Sequence, residues 1–273
     1  AAGSLEGVRF RGPATREIRQ NFLTSTGEKS WGVSLQADFD LGGLGTLTSI
    51  TAYRDWRNRG TRDGDWLDRP YVGVAQLHDF GPQPSSTLTQ EVRIAGGERL
   101  QYVVGGFFYD ADAERTFQRD VITCSATTLP PVAGGARPCS TAPGVSTLTF
   151  PSSVATFGSK LTNWAIFGDF TFALFDNLRL IAGGRFTHDL VKAYHDRTPS
   201  PIPGPGVRTD GSGYRLRTTN EDFSLKAGAQ LDLGVGDMAY FTYTQGYKGP
   251  AFNVFFNQNP SQLNVIEAET ADA

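Results

Sequence analysis

The stretch from Glu221 to Asn253 leaves this chain little choice of fold. Its first arm alternates without a break. Phe223, Leu225, Ala227, Ala229, Leu231 and Leu233 fall on one parity, and Ser224, Lys226, Gly228, Gln230 and Asp232 on the other. A period of two puts these sets on opposite faces of a pleated strand. A Gly/Asp turn follows at Gly234–Asp237, and a second arm returns with Tyr240, Phe241, Tyr243 and Tyr247. The pattern predicts a long β-hairpin with one apolar and one polar face. The apolar face must meet either a protein core or lipid.

The same alternation recurs upstream. Trp31–Asp40, Leu88–Ile94, Trp164–Leu174 and Leu178–Leu190 each alternate apolar with polar residues. Thr46–Arg59 and Leu100–Phe117 are strand-like with less perfect alternation. Ala1–Ser30 has no sustained pattern and reads as loop, and Glu267–Ala273 reads as the start of a further strand. Between the strands, short turns (Leu41–Gly45, Gly96–Arg99, Phe175–Asn177, Gly234–Asp237) alternate with long Pro/Gly-rich connections. The long ones are Gly60–Pro84, Asp120–Gly158, Asp196–Arg217 and Gly249–Ile266.

An up-and-down antiparallel sheet collects all short turns at one end and all long loops at the other. That asymmetry, with strands longer than the roughly 9–11 residues needed to cross a bilayer, predicts an all-β transmembrane barrel. Soluble sandwiches use strands of about 5–6 residues and Greek-key crossings instead. Roughly eight strands can be counted; against the 22-stranded plugged barrels of the family that the chain resembles (below), that resemblance implies a partial barrel. The mean hydropathy of −0.29 fits, because the lumen face and loops of a barrel are polar. No apolar run approaches the ~20 residues of a membrane helix. A net charge of −3 without a basic block gives no footprint for nucleic acid.

Aromatics, 12% of the chain, gather at strand ends. Trp31, Trp56, Phe108, Tyr109 and Trp164 lie toward the long loops. Phe39, Phe172, Phe175, Tyr240 and Phe241 lie toward the short turns. Two girdles at the membrane–water boundaries are expected from them.

Four stretches carry a family resemblance: GTLTSITAYRDW (Gly45–Trp56), LTQEVRIAGGERLQYVVGGFFYD (Leu88–Asp110), NWAIFGDFTFALFDNLRLIAGGRFTHD (Asn163–Asp189) and MAYFTYTQGYKGPAFN (Met238–Asn253). In order and spacing the chain resembles the barrel region of TonB-dependent outer-membrane receptors, from about Trp31 onward. GYKGP stands where the family pattern has GYKGG. The resemblance implies an N-terminal plug domain, a TonB-contacting box and a terminal aromatic-ended strand, none of which is visible in this sequence. Residues 1–273 are therefore expected to be part of a single barrel domain of a longer receptor. It implies a place in the bacterial outer membrane, with outer-membrane lipid as one partner. The TonB complex, reached through a plug not present here, and a small-molecule ligand are the others. Imported ligands of this class include ferric siderophores, cobalamin-like cofactors and oligosaccharides. A passive channel or adhesin barrel, and a soluble β carbohydrate-binding module, are the alternatives.

Ligand-facing candidates are the loop aromatics and arginine Trp66, Arg69, Tyr71, Phe252, Phe255 and Phe256, each weighed against plain loop packing. Cys124 and Cys139 share one long connection on the outer, oxidising side, so a local disulfide is expected in preference to two free thiols. Closing a loop of about 15 residues contributes ~3 kcal/mol in the chain-entropy model. Asp63, Asp65 and Asp68 depart from calcium-loop spacing, with Val74 where the terminal Glu would fall, and read as a solvated turn. His78, His188 and His195 form no zinc pattern. No nucleophile–base pair or paired catalytic carboxylates appear, so neither an enzyme, a cofactor nor a bound metal is expected.

Overall fold

The computed structural model describes residues 20–132, 134–234 and 236–273. It contains no α-helix among the described residues. Eight long strands run in sequence: β1 (Ser25–Asp40), β2 (Thr46–Asp63), β3 (Gln76–Gly96), β4 (Leu100–Thr127), β6 (Ser152–Phe175), β7 (Leu178–Thr198), β8 (Ser212–Gly234) and β9 (Asp237–Lys248). Short elements accompany them: β5 (Ser146–Thr149), β10 (Ala251–Phe252), β11 (Val265–Ile266) and β12 (Glu269–Asp272). One antiparallel sheet takes them in the order β1-β2-β3-β4-β6-β7-β8-β9-β12, with β5 beside β4. Its ends do not meet, so it is a sector of a barrel with open edges at β1 and at β9/β12.

Register decides which side chains share a face, because directly opposed residues in an antiparallel ladder point the same way. Across β6, β7 and β8, Ile166 opposes Phe186 and Phe186 opposes Phe223. Leu180 opposes Ala229, which opposes Phe241 of β9. On β1, Trp31, Val33, Leu35, Ala37 and Phe39 continue the same face. No second layer of the protein covers these side chains: Phe223 is 61% and Ile166 59% exposed. A continuous apolar face of this size is what a lipid-facing surface requires. The polar residues on it satisfy one another. The Thr51 hydroxyl donates to the Gln90 carbonyl oxygen, and the Gln90 amide donates to Ser49 at 3.1 Å.

The other face is polar, and it corrects three girdle assignments. Trp56 opposes Ser30 and donates its indole N–H to Glu28 at 2.6 Å. Tyr109 opposes Asn163, and Tyr240 opposes Gln230. All three lie on the polar face. Phe108 and Tyr109 are adjacent, as are Tyr240 and Phe241, and neighbours on a strand cannot share a face. Trp31, Phe108 and Trp164 keep their outward places. Trp164 packs on Phe186 and stacks on His188, each with ring centroids 5.5 Å apart.

The strands also run further than alternation suggests. β2 and β3 occupy much of the segment read as the Gly60–Pro84 connection. β4 and β6 do the same for Asp120–Gly158, and β7 and β8 for Asp196–Arg217. Within β3, Gly81–Pro84 stays paired with β2, while its pairing with β4 lapses between Phe80 and Ser85. Pro82 and Pro84 lack amide donors, and being two apart they would have aimed them at the same neighbour. A segment that looks like a loop breaker is thus a strand missing one ladder. β1 likewise begins at Ser25, inside the segment read as loop, whose residues 1–19 lie outside the described part.

Short turns are tightly set. Gly45 takes φ +86°, and a Cβ there would stand 2.1 Å from the carbonyl oxygen of Ala95. Glycine alone avoids both penalties. The Tyr102 hydroxyl donates to the Leu44 carbonyl at 2.8 Å and ties this turn to β4.

The long connections pack on one another and on the polar face. Cys139 donates its amide to Pro70 O at 2.9 Å, and Val72 donates to Arg137 O at 2.9 Å, joining two loops. Cys124 lies within β4 rather than in the loop, and its disulfide to Cys139 anchors that loop to the strand. The connection after β9 folds back so that Phe256 packs on Ala155 and Phe157, with Phe117 and Val254 beside them.

Candidate functional site

Parity brings a column of charged and aromatic side chains onto the polar face. Nearest the short turns, Arg179 pairs with Asp232 at 2.8 Å. Higher, Lys226 pairs with Asp169 at 3.1 Å. Beside them Arg185 lies over the rings of Phe107 and Phe167, at 5.6 and 5.9 Å, with no carboxylate partner among the described residues. Above that, Asp189 is a hub. It accepts from Asn163 at 2.6 Å and from the Tyr247 hydroxyl at 2.7 Å, and Asn220 donates to the same hydroxyl at 3.0 Å. A Cβ on Gly249 would sit 2.5 Å from Asp189 Oδ2, so any larger residue there would displace this carboxylate from its present place.

The mouth of the face is built from β4. Arg115, Phe117 and Arg119 are two apart and project together. Arg119 makes a bidentate pair with Asp79, at 2.6 and 2.7 Å. It also lies 5.7 Å from the Phe117 ring centre and 5.9 Å from that of Phe256. Arg115 is exposed, lies 4.9 Å over Phe117, and has no carboxylate partner among the described residues. Stacking on an aromatic face holds a guanidinium in place while leaving its N–H fork open to an anion.

The loop of Phe256 is held by two side chains from β7. His195 is wholly buried. Its Nδ1 accepts from the Ser212 hydroxyl at 2.7 Å, and its Nε2–H donates to Phe256 O at 3.1 Å. The Phe256 carbonyl fixes a proton on Nε2, and in the neutral ring Nδ1 is then the acceptor for Ser212. Burial pushes its pKa below the ordinary value, and the nearby Arg197 adds to the effect. Arg197 donates to Asp210 O at 2.9 Å and to Gln258 O at 3.1 Å. The sign of the pH dependence follows. The docked loop binds fewer protons than the undocked one, so docking is complete above the ordinary histidine pKa of about 6.5. It weakens as pH falls through that value. Proteolysis of the 249–268 connection is expected to be faster at pH 5 than at pH 7.5, and the difference should vanish in His195→Gln.

The residues singled out from sequence fall into two groups. Trp66, Arg69 and Tyr71 belong to the connection between β2 and β3. Trp66 is 66% exposed with φ 57°, its amide held by Asp63 Oδ1 at 2.7 Å. Arg69 lies 3.8 Å from Asp68 and lines a groove with Gln76, Cys139 and Leu148. Tyr71 is 1% exposed and bridges Val74 and Pro138, so it holds loops together. Phe252, Phe255 and Phe256 belong to the connection after β9. Phe252 opposes Val265 in a two-residue ladder, Phe255 is half-buried, and Phe256 is buried against Phe117. Of the six, only Phe256 is brought to the Arg115–Phe117–Arg119 group. Asp63 and Asp65 cap loop amides, and among the described residues no cluster of His, Cys, Asp or Glu could hold a metal ion. Sequence reasoning missed Arg115, Arg119, Arg185, His195 and Arg197. The shared parity of Arg115, Phe117 and Arg119 on one strand was the available signal.

The sequence profile described as "TonB dependent receptor-like, beta-barrel" matches residues 4–273. The chain belongs to the TonB-dependent receptor β-barrel family. That family is one of transport receptors of the bacterial outer membrane. In such a barrel the apolar face is the outside and the polar face the lumen. Similar folds include the ferric yersiniabactin uptake receptor FyuA from Yersinia pestis, at 14% identity and a TM-score of 0.59. That match covers 93% of this chain and 34% of the other. The siderophore receptor PiuA from Acinetobacter baumannii matches at 12% identity and a TM-score of 0.55, covering 90% of this chain and 37% of the other. This TonB-dependent receptor chain thus spans about a third of the length of the receptors it matches. No curated protein matches it in sequence.

Proposed function

We propose that this chain is a sector of an outer-membrane receptor that takes up a scarce anionic chelate, of the ferric siderophore kind, by TonB-coupled transport. Family membership and the siderophore receptors of similar fold support the reading. So do the open sheet edges, since unpaired strand edges in lipid cost several kcal/mol per unsatisfied group and call for further strands. A plug domain and the TonB contact belong to the rest of such a receptor.

The observation that carries the reading is Arg115, an exposed guanidinium stacked on Phe117 at the lumen mouth with its hydrogen-bonding fork uncommitted. It suits a multiply charged, aromatic- or carboxylate-bearing ligand better than a neutral oligosaccharide. In the full-length receptor, Arg115→Ala is expected to weaken ferric-siderophore binding about 10- to 100-fold. That corresponds to the ~1.5–3 kcal/mol of a hydrogen bond to a charged group. Radioiron uptake by iron-limited cells supplied with ferric siderophores reads the effect. Unchanged uptake and affinity in Arg115→Ala and Phe117→Ala would remove the basis of the assignment.

A further inference from the structure

Register places a bare patch of backbone on the lumen wall beside Arg115. Gly60 of β2 directly opposes Gly81 of β3, on the inward parity. Arg62 opposes Asp79 on one side of this pair, and Asn58 opposes Gln83 on the other. β4 continues the surface, with Arg119 opposite Asp79. The β3–β4 pairs on either side of their gap keep one register. Gly81 therefore stands level with Phe117, and Gln83 with Arg115. The result is a floor without side chains, bounded by Asn58, Arg62, Gln83, Arg115, Phe117 and Arg119.

The two glycines differ in what they require. Gly81 has φ +151°, and a Cβ there would stand 1.9 Å from Thr116 O, so glycine alone fits. A Cβ on Gly60 would meet only Asn58 Oδ1, at 3.8 Å, so the space over it is open among the described residues. Charge around the floor is unbalanced. Asp79 is held by both N–H arms of Arg119. On the β1 side, Glu28 opposes Asn58 and accepts from the Trp56 indole. Arg62 and Arg115 are both exposed, and neither has a carboxylate partner among the described residues.

Spacing narrows the occupant. Arg62 and Arg115 lie two strands apart, about 10 Å, and four residue steps apart along them, about 13 Å. A compact anion reaches one of them. A flat ring with oxygens on its rim can lie on the bare floor, turn an edge to Phe117 and bring charge to both guanidiniums. The planar fork of arginine suits oxygens held in one plane. We propose that this depression takes a flat aryl anion, of the catecholate or phenolate kind, carried as one arm of the chelate. The inference rests on the reading of Arg115 above and narrows its ligand from anionic chelates in general to aryl ones.

The test uses the full-length receptor in detergent. The probes are a hexadentate ferric tris-catecholate, ferric citrate and a neutral ferric tris-hydroxamate, with affinities read by quenching of tryptophan fluorescence. Gly60→Val fills the floor where the strand has room for a side chain. It is expected to weaken tris-catecholate binding at least about 10-fold and to leave ferric citrate within about 3-fold. Arg62→Ala should also cost the tris-catecholate about 10-fold. Unchanged mobility of the unboiled barrel in both variants shows that the fold is kept. Native tris-catecholate affinity in Gly60→Val and Arg62→Ala would overturn the proposal. So would a loss that falls as heavily on ferric citrate or the hydroxamate. Loss of binding in Arg115→Ala, with the other two variants unaffected, defeats this inference and leaves the anion reading standing. If Arg115→Ala binds every probe as the native receptor does, the anion reading itself fails. A native receptor that binds none of the probes defeats both.

Discussion

Ala229→Arg blocks assembly of the barrel in bilayers, while Gln230→Arg, one residue on, assembles. Ala229 stands between Leu180 and Phe241 on the outward face, near the middle of the apolar run Phe223–Leu233. An arginine facing lipid at that depth costs roughly 2–4 kcal/mol. Gln230 faces the lumen between Arg179 and Tyr240, with Asp232 accepting from Arg179 at 2.8 Å. A second arginine beside Arg179 carries a cross-strand penalty of ~0.2–1 kcal/mol, softened by lumen water and Asp232. The lipid term is the larger, so the two variants separate clearly in folded fraction by unboiled electrophoresis after insertion into vesicles. Equal folded fractions, or the reverse order, would invert the assignment of the faces.

Arg197→Met is expected to release the loop after β9 without unfolding the sheet. The side chain of Arg197 is fully buried and donates to three carbonyls, those of Asp210, Phe256 and Gln258, with Asp210 Oδ2 3.5 Å away. Asp210 stays ionised over the whole working range, because the Arg208 guanidinium holds its pKa down at about 2. Methionine replaces the stem but supplies no donor, leaving buried acceptors unmatched. Leaving a buried acceptor without its donor costs about 1–3 kcal/mol per group. Hydrogen exchange of amides in 249–268 should accelerate about 100-fold or more, with β8 and β9 unchanged. Exchange that stays at the native rate would show that Phe256 packing alone seats the loop.

Sequence was legible where the two faces differ in solvent. From the short turns up to Trp164, Phe186 and Phe223, every outward position meets an apolar medium and every inward one a polar lumen, so residue type alternates with the pleat. Above that level the contrast disappears. Ser152–Leu161 and Ser212–Asn220 are wetted or covered by loops on both faces, so nothing in composition separates inside from outside. Their backbone ladders still continue, and that is why the strands outrun the pattern. Gly81–Pro84 misleads for a different reason: proline speaks only for the ladder it forbids. Pairing also hides what the site needs. Arg115 and Phe117 could be placed on one face from sequence, but Asp79 and Phe256 arrive from other strands and loops. The buried His195 gave no local sign of its partners Ser212 and Phe256.

The barrel sector has one defining polarity: the odd positions of β8 face lipid and the even positions the lumen. Single cysteines placed in turn from Phe223 to Leu233 and spin-labelled in reconstituted membranes test it directly. The native pair Cys124–Cys139 is joined and does not compete for label. Accessibility to lipid-dissolved oxygen should peak at 223, 225, 227, 229, 231 and 233, with access of a polar nickel chelate highest at the even positions between. Accessibility without a period of two, or with the parities exchanged, would contradict the barrel-sector assignment.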